Sequence, residues 1–129
     1  MDPVANMLTR IRNAQAVKHE TVLIPHSALL WNIVKVLEHT KFLKKATRKG
    51  KKSKRVIEVE LDYNSAKQPV ISELHRISKP GRRIYKKVKE LRSIKNGAGI
   101  AVISTPKGLL TDREARKQNM GGEVLLEVW

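Results

Sequence analysis

Apolar positions along the first half of the chain switch between a helical and a strand period, and the switches mark out its elements. Val4, Met7, Leu8 and Ile11 fall on one face at helical spacing behind Asp2 and Pro3, a cap and a first-turn proline, so a helix is expected there with Thr9, Arg12 and Asn13 facing elsewhere. Thr21 to Ile24 is a β-branched run closed by Pro25. Ser27 can cap a second helix whose Leu30, Ile33, Val34 and Leu37 make a core stripe, with Trp31 at its margin. Phe42 to Thr47 and Arg55 to Leu61 read as two strands, Ile57, Val59 and Leu61 alternating against Glu58 and Glu60. The order is αβαββ.

Turn formers and a proline in the stretch DYNSAKQP, from Asp62 to Pro69, break this pattern and suggest a boundary, with residues 1–63 as an N-terminal domain and 64–129 as a C-terminal one. Beyond it, Val70 to Ser78 can form a strand, Lys79-Pro80-Gly81 a turn, and Lys87 to Arg92 a helical turn. Ile100 to Ile103 is a continuous apolar run expected to be a buried strand, with Ser104 and Thr105 at its rim. Pro106-Lys107-Gly108 should stop that strand at an exposed loop, because proline lacks an N–H and glycine admits a left-handed backbone. Leu109 and Leu110 then lead to Thr111-Asp112-Arg113-Glu114, a capping box that starts a short helix at Asp112. Gly121-Gly122 gives a close-packing turn before a closing strand from Glu123 to Trp129. The fold class is α+β, with a second half that is mostly β and carries one short capped helix.

Charge narrows the function. Lys and Arg total 27 against 12 acidic residues, a formal charge of +15, which points to a polyanionic partner: nucleic acid first, an anionic membrane surface second. Nine basic residues and no acidic one lie between Lys41 and Arg55, at a hairpin tip made flexible by glycine and serine, from which diffuse phosphate attraction is expected. Nine more lie from Arg76 to Lys95 against Glu90 alone, around Tyr85. There is no cysteine, and Arg10 and Arg12 interrupt the only apolar-rich stretch near the start, so a cytosol-like location is the default.

The four histidines, His19, His26, His39 and His75, lack metal-ligand spacing and a nucleophile motif, so neither cofactor nor catalysis is expected. The enzymatic alternative is a ribonuclease in which His26 and His75 converge with Lys107. For binding, the basic stretches supply sequence-independent attraction while the hydroxyls of Ser104 and Thr105 can reach a ribose 2′-hydroxyl in the shallow minor groove of A-form RNA. No helix is rich in base-reading Arg, Asn and Gln, and 4% aromatic residues do not make a single-strand stacking platform. RNA is therefore preferred to DNA.

Three ordered stretches carry a resemblance: Asp2-Pro3 with Met7-Leu8-Thr9-Arg10-Ile11-Arg12-Asn13-Ala14; Arg76-Ile77-Ser78-Lys79-Pro80-Gly81-Arg82-Arg83-Ile84-Tyr85; and Ser104-Thr105-x-Lys107-Gly108 followed by Thr111-Asp112-Arg113, Ala115-Arg116 and Gly121-Gly122-Glu123. Together they closely resemble the eighth protein of the small ribosomal subunit. Pro106 stands where that family usually has a second serine. The resemblance implies two small packed α/β domains and no enzyme activity. It also implies binding to a helical region in the central domain of small-subunit ribosomal RNA, with neighbouring ribosomal proteins as partners, in a bacterial or plastid ribosome. Repression of its own operon through messenger RNA that mimics the ribosomal site is a further role within the family. By this resemblance the RNA-binding residues are Ser104, Thr105, Lys107, Gly108, Gly121, Gly122 and Glu123, with Arg82, Arg83, Tyr85, Lys86 and Lys87, and in the first half Thr9, Arg12, Asn13 and Ser27.

Overall fold

A computed structural model describes residues 2–129. Its contacts divide it into two units, Pro3–Ile71 and Ser72–Trp129, with Asp2 grouped in the second.

Unit 1 follows the αβαββ order: α1 (Pro3–Ala16), β1 (Thr21–Pro25), α2 (Ala28–His39), β2 (Leu43–Lys49) and β3 (Val56–Leu61). The strands form an antiparallel sheet in the order β1-β3-β2. Helical stripes bury Val4, Met7, Leu8 and Ile11 from α1 and Leu30, Ile33, Val34 and Leu37 from α2, together with Ile24, Ile57, Val59 and Leu61 from the strands. Ser27 caps α2 as expected, accepting from the Leu30 N–H at 3.1 Å. At the other end of α2, the Glu38 carboxylate accepts from the Ala46 N–H at 3.1 Å and pairs with Lys35; the Lys35 hydrogen bond above all holds this carboxyl below the usual carboxylate range.

Both helices end in a Schellman pair. After α1, Lys18 N–H donates to Gln15 O at 3.1 Å and His19 N–H to Ala14 O at 2.9 Å; after α2, Lys41 N–H donates to Glu38 O at 3.0 Å and Phe42 N–H to Leu37 O at 2.9 Å. The left-handed residue such a motif needs is normally glycine, yet here it is Lys18 (φ 61°) and Lys41 (φ 72°).

Unit 2 contains β4 (Leu74–Arg76), β5 (Tyr85–Lys86), β6 (Ile100–Thr105), β7 (Gly108–Thr111), α3 (Asp112–Lys117) and β8 (Gly122–Val128). Its sheet is organised on β8, which pairs antiparallel with β4, β5 and β6, while β7 extends the far side of β6. Leu91, Ala101, Ile103, Leu110, Ala115 and Val124 form a buried cluster, with Ile77, Ile94 and Met120 packed against it.

Two expectations change here. The strand expected over Val70 to Ser78 is regular only from Leu74 to Arg76. Before it, Glu73 and Trp129 still exchange both backbone N–H···O bonds, at 2.9 and 3.1 Å, but the Ser72 N–H doubles up on the same Trp129 carbonyl at 2.6 Å, outside the ladder pattern. The chain also does not leave the sheet at Pro106: Leu109 and Leu110 belong to β7, which returns along β6 as a hairpin. Pro106 keeps the negative φ of a first turn position, so the left-handed residue falls on Gly108 (φ 99°).

Candidate nucleic-acid interface

The candidate interface in unit 2 is built from strand register. Ser104 on β6 lies opposite Glu123 on β8, and Glu123 lies opposite Tyr85 on β5. Direct cross-strand partners project from the same face of a sheet, so Tyr85, Glu123 and Ser104 form one row across three strands, continued on β7 by Leu109. Tyr85 is 70% exposed, a large exposure for an aromatic ring held in a strand. The neighbouring positions Ile103 and Val124 point to the opposite side, into the buried cluster. Sequence-distant segments thus contribute to a single surface.

Two glycines let the strands meet. A Cβ on Gly122 would fall on the carbonyl oxygen of Ser104, and one on Gly121 would fall on the carbonyl oxygen of Lys86. Both neighbours are backbone and cannot swing aside.

The two hydroxyls expected to read RNA have different fates. Thr105 Oγ1 donates to the Gly108 carbonyl at 2.8 Å and accepts from the Lys107 N–H at 3.1 Å, closing the turn. Its only proton is spent within the hairpin. Ser104 Oγ makes no hydrogen bond among the described residues and is only half-buried, so both its donor and its acceptor capacity remain. Lys107 extends from the turn into solvent.

Cations rim the row. Arg82, Arg83, Lys86 and Lys87 are all exposed. Arg83 is tethered, its guanidinium donating to the Glu123 carboxylate at 3.2 Å. Lys87 N–H donates to the Glu90 carboxylate at 2.8 Å and starts the helical turn expected after it.

Supports that sequence reasoning missed lie beneath this face. Ser78, fully buried, accepts from the Ile84 N–H at 2.9 Å and donates to the Ile84 carbonyl at 3.3 Å, which fixes the segment leading into β5. Asp112, 3% exposed, accepts from the Ala101 N–H at 3.0 Å and from Arg116 at 2.8 Å, tying α3 to the start of β6. The expected capping box is present: Glu114 N–H donates to Thr111 Oγ1 at 3.1 Å and Thr111 N–H to Glu114 Oε1 at 2.9 Å.

In unit 1, Thr9, Arg12 and Asn13 form an exposed stripe on α1. Thr9 Oγ1 donates back to the Ala5 carbonyl at 3.0 Å, and Ser27 is occupied as the α2 cap. Of the histidines weighed for catalysis, His75 stacks on Trp129 with ring centres 4.7 Å apart and contacts Glu73 at 3.2 Å, while His26 Nε2 is buried with no hydrogen-bond partner among the described residues. Among the described residues no three His, Asp or Glu side chains converge as metal ligands.

Comparison with known proteins gives the family. The family model described as "Ribosomal protein S8" matches residues 2–129. The chain is 47% identical over 129 residues to "Small ribosomal subunit protein uS8" of Trichormus variabilis, covering 99% of this chain and 97% of that protein. Proteins of the same name from Syntrophus aciditrophicus, 46% identical over 129 residues, and from Streptococcus pneumoniae serotype 19F, 47% identical over 128 residues, are covered to the same extents.

Proposed function

Because the chain belongs to the ribosomal protein S8 family, we propose that it binds a helical region in the central domain of 16S ribosomal RNA through the row of Tyr85, Glu123 and Ser104 and so helps assemble the small subunit. The family is structural and non-enzymatic, so the histidine ribonuclease is set aside. The role in the small subunit follows from the family; the RNA surface is our reading of the geometry.

The observation that carries it is the unspent hydroxyl of Ser104, held on a rigid strand end beside Gly122 and an exposed aromatic ring. A-form RNA presents its ribose 2′-hydroxyls in a wide, shallow groove that a side chain as short as serine can meet only if the strand itself comes close. Gly121 and Gly122 remove the side chains that would hold it off. Glu123 repels phosphates, so the centre of the row suits 2′-hydroxyls and base amino groups. Arg82, Arg83, Lys86, Lys87 and Lys107 around it suit the backbone. Tyr85 can stack on an unpaired base where the helix is irregular. Thr105 acts as a positioning residue, holding the turn that presents Lys107. On unit 1, the stripe of Thr9, Arg12 and Asn13 and the remaining proton of Ser27 offer further RNA contacts.

Mapping the nucleotides of full-length 16S rRNA that the protein protects from hydroxyl radicals tests this reading. Protection confined to a helical part of the central domain is the expected result. Protection scattered over the molecule, or equal affinity for the same hairpin made as DNA, would overturn it.

A further inference from the structure

We propose that Arg48, held on the Trp31 ring of unit 1, is a second and separate RNA-phosphate contact, resting on the reading of the chain as an RNA-binding protein. The guanidinium carbon of Arg48 lies 4.5 Å from the centre of the Trp31 ring, and Lys35 Nζ lies 5.2 Å from the same centre. Stacking on an indole fixes the plane of a guanidinium and leaves its in-plane N–H donors pointing outward. Those donors are unspent: Arg48 makes no side-chain hydrogen bond and no ion pair among the described residues. Arg76, Arg83 and Arg116 each face a carboxylate.

A break in strand register aims the pair. Simple alternation from Leu43 would put Arg48 on the face opposite to it. A shift between Leu43 and Lys45 instead places Leu43, Ala46 and Arg48 opposite Leu61, Val59 and Ile57, on the side that α2 covers. Arg48 therefore emerges at the exposed edge strand β2, beside Trp31, ordered before any ligand arrives. Lys35 is ordered too, by Glu38.

The surroundings select the ligand. Of the nine cations from Lys41 to Arg55, only Lys49 has an ion-paired carboxylate among the described residues, Glu58 at 3.0 Å, and all nine are exposed. A planar fork that accepts one phosphate in a bidentate fashion, at the base of a ribbon of exposed lysines, matches a polymer with regularly spaced phosphates better than a single carboxylate. The hairpin is thus more than a source of diffuse attraction: it has one preorganised contact at its root.

The test uses the full chain and in-vitro-transcribed 16S rRNA, with Arg48→Gln, Arg48→Lys, Trp31→Leu and Ser104→Ala compared over a salt series and by backbone protection. Arg48→Gln is expected to weaken binding about tenfold, make the salt slope shallower by about one, and uncover a backbone stretch different from that uncovered by Ser104→Ala. Arg48→Lys should restore the slope and only part of the affinity, and Trp31→Leu, with its melting checked, should weaken binding while keeping the slope. Parent affinity, slope and protection in Arg48→Gln would overturn the inference; if Ser104→Ala weakens binding in that same series, the proposed reading site stands alone. Indifference of both variants would sink the reading as well. A photo-crosslink from position 48 in assembled subunits that lands on protein carboxylates instead of RNA would overturn the inference in favour of an acidic protein neighbour.

Discussion

Gly122 lies so close beneath the carbonyl oxygen of Ser104 that a methyl group there would overlap it, with the Ser104 carbonyl carbon at 3.0 Å and Ile103 Cγ2 at 3.2 Å beyond. Gly122→Ala should therefore cost about 1–3 kcal/mol of stability. The strain would part β6 from β8, so RNA affinity should fall further than the stability loss explains. Denaturant titration and RNA binding on the same preparation check this; an alanine variant with parental melting would mean that the two strands have slack.

Ser104 and Thr105 should separate under substitution. Ser104→Ala leaves the fold unchanged and, by leaving an RNA group unpaired at a desolvated contact, should cost about 1–3 kcal/mol of binding with the salt slope unaltered. Thr105→Ser should bind like the parent because the turn bonds persist, whereas Thr105→Val should loosen the turn and weaken binding. A loss for Thr105→Ser with none for Thr105→Val would show that the methyl group, not the hydroxyl, matters at that position.

Glu38 makes part of the stability of unit 1 dependent on acid. Its folded pKa is lowered, chiefly by the hydrogen bond from Lys35, so its contribution is fully present above the ordinary glutamate value of about 4.3 and is lost as pH falls through the lower folded value. Glu38→Gln should cost about 0.5–1 kcal/mol near neutrality, and the gap to the parent should close as pH falls below the ordinary glutamate range. A gap that persists at low pH would assign the effect to the Ala46 N–H contact alone.

Lys18 and Lys41 occupy left-handed positions that L-residues enter at a cost. Lys18→Gly and Lys41→Gly should each raise stability by about 0.5–1 kcal/mol despite removing a cation from a helix C-terminus. Thermal melting of the two single variants and the double variant measures it, with near additivity expected for two separate helix ends. A fall in melting temperature would mean that the lost lysine contacts, the helix-end charge and for Lys18 the hydrogen bond to the Lys67 carbonyl at 2.7 Å, outweigh the strain.

The sequence was most legible where one period ran long enough to be counted. The apolar stripes of α1 and α2, the alternation of Ile57, Val59 and Leu61, and the Thr111–Glu114 box each carry their own local reason for the structure they adopt. What stayed hidden depends on partners distant in sequence. Leu109 and Leu110 are too few to declare a period, and only pairing with Ser104 and Ile103 makes them a strand. The row of Tyr85, Glu123 and Ser104 is a product of register. Spending the Thr105 hydroxyl requires the turn to exist first. Arg48 was placed by a register shift that alternation alone cannot reveal.

Strand β8 has a consequence for how the chain is made. Unit 1 has all its elements once Ile71 has been synthesised, and it can fold while the rest is still being translated. Unit 2 cannot close its sheet, because β4, β5 and β6 all wait for a strand that begins only at Gly122. Until then Tyr85 and Ser104 belong to strands without their common partner, and a polypeptide interrupted before Glu123 carries every cation but no assembled row. Vectorial synthesis thus delivers the charge first and the selective surface last.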